Sequence, residues 1–269
     1  MSSLKSINFS KEFDENGVVL LKNCNDSLLL EKVREQYDYL NANLTRKEIV
    51  KDKPLIVLWN HVVGETKRLA TFDEFPALFD FISKSIVTNL RNIFPDRTKK
   101  LQLLETIIFQ KPPLISNTLN WHQDVAYFPL KPNNQIAVWM PFEIVTKERG
   151  AMTYALGSHK LGIRGSTNLH TREKFNNENR ELIPEDPSSL GLTLKTFEMT
   201  PDDMLIHDGF TWHCSGPNII PEYTRRGLSV RFIVEDAYFD PRPGQGAAFT
   251  SQIDCEPGDL IVGPPFPYL

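Results

Sequence analysis

Two residues in the segment Trp121-His122-Gln123-Asp124 have the types and spacing to meet one cation. Side chains on an extended backbone alternate with period two, so His122 and Asp124 share a side and offer an imidazole nitrogen and a carboxylate oxygen. A third ligand must come from a neighbouring strand. His213, in Phe210-Thr211-Trp212-His213-Cys214-Ser215-Gly216, is the best-placed offer, with His207 as its rival. Two histidines and one carboxylate on one face leave three coordination positions open, which suits oxygen-activating ferrous iron. Halogenation would need a halide where the carboxylate stands, and hence a small residue at position 124. Asp124 therefore points to oxygenation.

Holding such a set requires short, closely paired strands, and from about Leu101 the chain has that texture. Runs rich in β-branched and aromatic residues alternate with Pro, Gly and Asn clusters, predicting strands over Leu104–Phe109, Trp121–Phe128, Gln135–Ile144, Met152–Leu156, Leu194–Glu198, Met204–His207, Thr211–Ser215 and Gly227–Val234. About eight short strands imply a double-sheet jelly roll of cupin type. The polar stretch 161–191 is too long for a tight turn and is expected to be a lid or an insertion. The first hundred residues read as mainly helical after a short strand, Gly17–Leu21. Asp26 can cap a helix carrying Leu28, Leu29, Val33, Tyr37 and Leu40, and a second helix is expected from Asp73 or Glu74 to about Phe94, with Phe79, Phe81, Ile82 and Ile86 on it. The fold class is thus mainly β with flanking helices, in one domain over 1–269.

Bulk properties exclude several functions. The 41% hydrophobic and 24% charged composition is that of a globular protein, and 10% aromatic residues argue against disorder. With a net charge of −4 and scattered basic residues, nothing recommends nucleic acid as a partner. No apolar run reaches the roughly 18 residues of a membrane span, and the polar start lacks a signal-peptide core. A cytoplasmic location is expected. Cys24, Cys214 and Cys255 are too few for a disulfide framework and are expected to be free thiols.

In order along the chain come Lys111-Pro112-Pro113, Trp121-His122-Gln123-Asp124, Tyr127-Phe128-Pro129, Trp139, Arg149-Gly150-Ala151-Met152, Leu156-Gly157-Ser158-His159-Lys160 and His213-Cys214-Ser215-Gly216-Pro217-Asn218. In these segments, over roughly 101–234, the sequence resembles the phytanoyl-CoA dioxygenase family of iron(II) and 2-oxoglutarate-dependent oxygenases. The resemblance implies a double-stranded β-helix core, Fe(II), 2-oxoglutarate and O2 as cofactor and co-substrates, and His213 over His207 as third ligand, because Ser-Gly-Pro-Asn trails the family's distal ligand. It also implies Arg225 as the anchor of the 2-oxoglutarate carboxylate, Ser215 as a hydrogen-bonding partner, and Trp139 and Ile107 as pocket walls. Arg226, adjacent to Arg225 and on the other face of the strand, is the minority candidate for the anchor.

The default reaction is hydroxylation of an unactivated carbon with release of succinate and CO2. Tyr127 and Phe128 are the candidate substrate contacts; the substrate is a small molecule whose class the sequence leaves open. The alternative is a cupin-type metal protein that binds or isomerises its ligand without 2-oxoglutarate. His61 and His170 read as solvated, His159 as a turn residue, and Arg164, Arg172 and Arg180 as either an anion site or a solvated charged loop.

Overall fold

A computed structural model describes residues 2–62, 64–241 and 252–269. In chain order the elements are α1 (Ser2–Asn16), β1 (Val18–Leu21), α2 (Ser27–Asn43), β2 (Leu55–Asn60), β3 (Arg68–Thr71), α3 (Pro76–Phe81), a π-helical turn (Ile82–Ile86), α4 (Val87–Ile93), β4 (Gln102–Lys111), β5 (Leu119–His122), β6 (Leu130–Lys131), β7 (Gln135–Pro141), β8 (Met152–Ala155), β9 (Leu194–Phe197), β10 (Met204–Asp208), β11 (His213–Ser215), β12 (Arg225–Ile233) and β13 (Tyr238–Phe239). Among the described residues the strands form a seven-stranded sheet ordered β1-β10-β7-β12-β4-β2-β3, a four-stranded sheet ordered β5-β11-β8-β9, and a ribbon of β13 and β6. This is the double-sheet jelly roll expected from the strand texture and the double-stranded β-helix core that the family resemblance implied.

Alternation along each strand of the large sheet separates two environments. On β12, Leu228, Val230 and Phe232 enter the main core together with Ile108 of β4, Val138 of β7 and Ile206 of β10. Helices α2, α3 and α4, with the π-helical turn between the last two, cover that face with Leu30, Val33, Tyr37, Phe81, Ile86 and Leu90. The opposite face carries Arg225, Ser229 and Arg231 of β12, paired across β4 with Lys111, Ile107 and Glu105. Such polar residues in the middle of a buried sheet signal a site, because burying a charge without a partner is costly.

The helices form where capping and periodicity allow. The Asp26 carboxylate accepts hydrogen bonds from the backbone N–H of Leu28 (3.0 Å) and Leu29 (3.1 Å), satisfying donors that have no partner within the helix. The buried stripe is Leu30, Val33, Tyr37 and Leu40. Leu28, expected on that stripe, is instead 71% exposed because it sits on the outer side of the first turn. The second helix begins at Pro76 and not at Asp73 or Glu74, since Glu74 is used to accept from the backbone N–H (2.8 Å) and hydroxyl (3.0 Å) of Thr71. Phe81, Ile82 and Ile86 are buried as expected, whereas Phe79 is 37% exposed.

Two corrections bear on the site. The strand expected over Trp121–Phe128 ends at His122, and Asp124–Tyr127 form a 3-10 turn. Gln123 between them stays extended (φ −129°, ψ 142°), which keeps His122 and Asp124 on one side. The first hundred residues also supply β2 and β3, which widen the large sheet; β2 runs parallel to β4. Removing the α2 cap with Asp26→Ala is expected to lower stability by about 1 kcal/mol, read as a lower denaturant midpoint with unchanged slope.

Candidate metal centre

Strand register assembles the centre. Antiparallel pairing of β11 with β5 sets His213 opposite His122, with ring centroids 4.1 Å apart, and pairing with β8 sets Tyr154 on the other side of His213. The nearest ligand atoms of His122, Asp124 and His213 all lie within 4.8 Å of one another, and all three residues are buried. His122 donates from Nδ1 to the Asn120 carbonyl at 2.7 Å, and His213 from Nδ1 to the Thr211 carbonyl at 2.9 Å. Each hydrogen bond fixes the proton on Nδ1 and leaves the Nε2 lone pair for a metal.

Electrostatics keeps the set in the form a cation needs. Burial pushes His122 down to about 4 and His213 well below the usual histidine value, so both imidazoles are neutral. Burial by itself would raise the Asp124 carboxyl, but Arg231 and the hydrogen bond from His207 outweigh it and hold the group well below the usual carboxylate range. Two neutral imidazoles and an ionised carboxylate need shed no proton to bind a divalent ion.

Asp124 is held from two directions. Arg231 Nη2 donates to its Oδ1 at 2.7 Å, and His207 Nε2 lies 3.2 Å from its Oδ2. The Tyr154 hydroxyl, 3.1 Å from His207 Nδ1, can donate there while His207 donates to Asp124. His207 therefore spends its ring on Asp124 and stands outside the trio of His122, Asp124 and His213. Arg231 also donates from Nη1 to Glu105 at 2.8 Å, its register partner on β4. Burial pushes Glu105 up, and Arg231 works against that shift.

A cavity of about 90 Å³ opens onto this trio. His122, Asp124, His213, Ser215, Arg225, Trp139, Ile107, Tyr127 and Phe128 all line it, so the structure brings together every site residue predicted from the sequence. Arg225 donates from Nη2 to the Gly150 carbonyl at 2.8 Å and stands 4.9 Å from the Trp139 ring. Its Nε and the Ser215 hydroxyl are buried without a hydrogen-bond partner among the described residues. Orphaned buried donors are rare in folded proteins, and this pair fits a carboxylate entering beside the trio. Gly227 makes room for the ring beneath the strand, since a Cβ there would lie 2.8 Å from Trp139 Cζ2. Arg226 points to the other face and pairs with Glu143 and Asp38, away from the cavity.

Other wall residues escaped the sequence reading. His61, expected to be solvated, is 1% exposed, stacked on Trp59 at 4.7 Å, and faces the cavity with Lys67, Phe109 and Leu169. The available signal was the apolar run Leu55–Leu58, which is β2; its parallel pairing with β4 is what carries Trp59 and His61 to the site. His170 is half-buried, with its ring centroid 5.7 Å from that of His61. The 161–191 stretch is a strap with few regular elements. Thr167 accepts the Tyr127 hydroxyl at 2.9 Å, and the Leu169 carbonyl accepts from the backbone of Asn120 at 2.9 Å. Arg164, Arg172 and Arg180 pair with Glu181, Glu185 and Glu178, so all three are engaged inside the strap.

A model of the phytanoyl-CoA dioxygenase family matches residues 13–227. The chain is 21% identical to a probable phytanoyl-CoA dioxygenase of Caenorhabditis elegans, over 87% of this chain and 77% of that one. It is 22% identical to the peroxisomal phytanoyl-CoA dioxygenase of Homo sapiens, over 57% of this chain, and spans about half the length of that relative (47%). Its fold is similar to that of the epimerase SnoN in complex with Fe3+, alpha ketoglutarate and nogalamycin RO, with a TM-score of 0.75, 18% identity and 98% of each chain covered.

The hold on Asp124 makes a prediction. Arg231→Lys keeps the charge but loses the paired donors, and is expected to weaken metal binding about 10- to 100-fold, read by cobalt(II) titration. Unchanged affinity would remove Arg231 from the support of the centre.

Proposed function

The chain belongs to the phytanoyl-CoA dioxygenase family, and on that premise we propose that it hydroxylates an unactivated carbon of a small-molecule substrate using Fe(II), 2-oxoglutarate and O2. His122, Asp124 and His213 are the proposed iron ligands. Arg225 and Ser215 receive the far carboxylate of 2-oxoglutarate, with Trp139 and Ile107 as the walls beside it. Tyr127, Phe128 and the strap face the substrate. The observation that carries this reading is the pair of orphaned donors, Arg225 Nε and Ser215 Oγ, on the same cavity as a ligand trio that leaves coordination positions open. Bound iron and 2-oxoglutarate supply the oxidising chemistry, in which dioxygen is consumed as the keto acid is cleaved to succinate and CO2.

The chain's own residues do three things for that chemistry. The guanidinium of Arg225 offers a charge-assisted hydrogen bond that orients the dicarboxylate, and cation–π contact with Trp139 keeps the side chain in place. Asp124 stays ionised through Arg231. The ring of Tyr127, tied to the strap through Thr167, and the ring of Phe128 beside it exclude water from the reacting side of the cavity. No helix among the described residues is long and apolar enough to cross a membrane.

Four measurements test the reading. Anaerobic addition of 2-oxoglutarate to the ferrous protein is expected to give a visible metal-to-ligand charge-transfer band, whose absence in folded protein would sink the co-substrate assignment. His122→Ala is expected to abolish both iron retention and succinate formation. Arg225→Gln removes a buried ionic partner worth about 2 kcal/mol or more and is expected to raise the 2-oxoglutarate half-saturation at least about 30-fold. Hydroxylation itself requires one atom of labelled dioxygen in the product; turnover without incorporation would favour epimerisation or ring closure.

A further inference from the structure

Lys67, just before β3, is a half-buried cation in the cavity wall. Its ammonium stands 4.3 Å from the centre of the Trp59 ring, and among the described residues it makes no hydrogen bond and no ion pair. The carboxylates that line the same cavity, Glu105 and Asp124, are already engaged. Glu105 is bound by Arg231, and Asp124 is bound by Arg231 and His207.

The charge balance of the loaded site, which rests on the iron and 2-oxoglutarate reading above, leaves this ammonium over. Glu105 balances Arg231, and the far carboxylate of 2-oxoglutarate balances Arg225. The ferrous ion is balanced by Asp124 and the chelating carboxylate. Lys67 has no counterpart, and its burial already lowers its pKa, with Glu105 opposing the shift. A cation in that position gains most from an anionic ligand group that arrives with the substrate.

The surfaces beside Lys67 are flat and apolar. Trp59 lies against Phe109 with centroids 5.6 Å apart and against His61 at 4.7 Å, and Leu169 of the strap faces the same cavity. Trp59 and Phe109 are register partners on β2 and β4, so this ring surface is part of the sheet and not of a loop. We propose that Lys67 and Trp59 form a substrate subsite for a small apolar carboxylate, its carboxylate on the ammonium and its hydrocarbon part against Trp59 and Phe109.

The test is calorimetric titration of the ferrous, 2-oxoglutarate-loaded protein under argon. The probes are matched pairs: phenylacetate with phenylacetamide, 3-phenylpropionate with its amide, and isovalerate with its amide. At least one carboxylate is expected to bind about tenfold or more tightly than its amide. Lys67→Met should erase that preference and Lys67→Arg should keep it, both without change in 2-oxoglutarate affinity. If no carboxylate is preferred over its amide, or if the preference survives in Lys67→Met, the subsite is refuted. The charge-transfer band keeps the two readings apart. A normal band without carboxylate preference defeats the subsite alone, whereas a Lys67-dependent preference without a band supports the subsite and defeats the co-substrate assignment.

Discussion

Arg231 is buried between Glu105 and Asp124, and much of the site is arranged around that contact. Taking three charges out of water is expensive, and removing one partner of such a set leaves an uncompensated charge that costs several kcal/mol. The network therefore persists only while β4, β12 and the turn after β5 keep their positions. In return it holds the Asp124 carboxylate ionised and oriented, with His207 constraining its second oxygen. The proposed iron ligand is thus anchored to the centre of the large sheet, although it sits on a 3-10 turn.

The large sheet works as a partition. Its helix-facing side is apolar and joins the main core, which supplies the hydrophobic free energy that a buried polar face needs. Its cavity-facing side presents Arg225, Ser229 and Arg231 in one line along β12, with Trp139 across from Ser229. A two-residue step along the strand is a step from the Arg225 end of the cavity toward the Asp124 end. The small sheet then closes the cavity, and the β5–β11 register brings His122 and His213 together from segments far apart in the chain. The strap completes the enclosure by hydrogen bonds to Tyr127 and Asn120, with its arginines satisfied internally.

What the sequence determined by itself was local. The pair His122 and Asp124 is readable because three residues of extended backbone put them on one side, and this survives the early end of the strand because Gln123 stays extended. Strand texture sufficed for the fold class, and Asp26 announced the start of α2. Choices between neighbours were different. His213 stands with the trio and His207 beside Asp124 because β11 and β10 belong to different sheets. Arg225 faces the cavity while Arg226 faces Glu143 because the phase of β12 is set by its pairing with β4 and β7. Trp59, His61 and Lys67 reach the cavity through a parallel pairing of β2 with β4, some fifty residues on, for which no short-range pattern exists. Spacing along a chain states which side chains share a face, but which faces meet is decided by long-range strand register, and only the tertiary structure contains it.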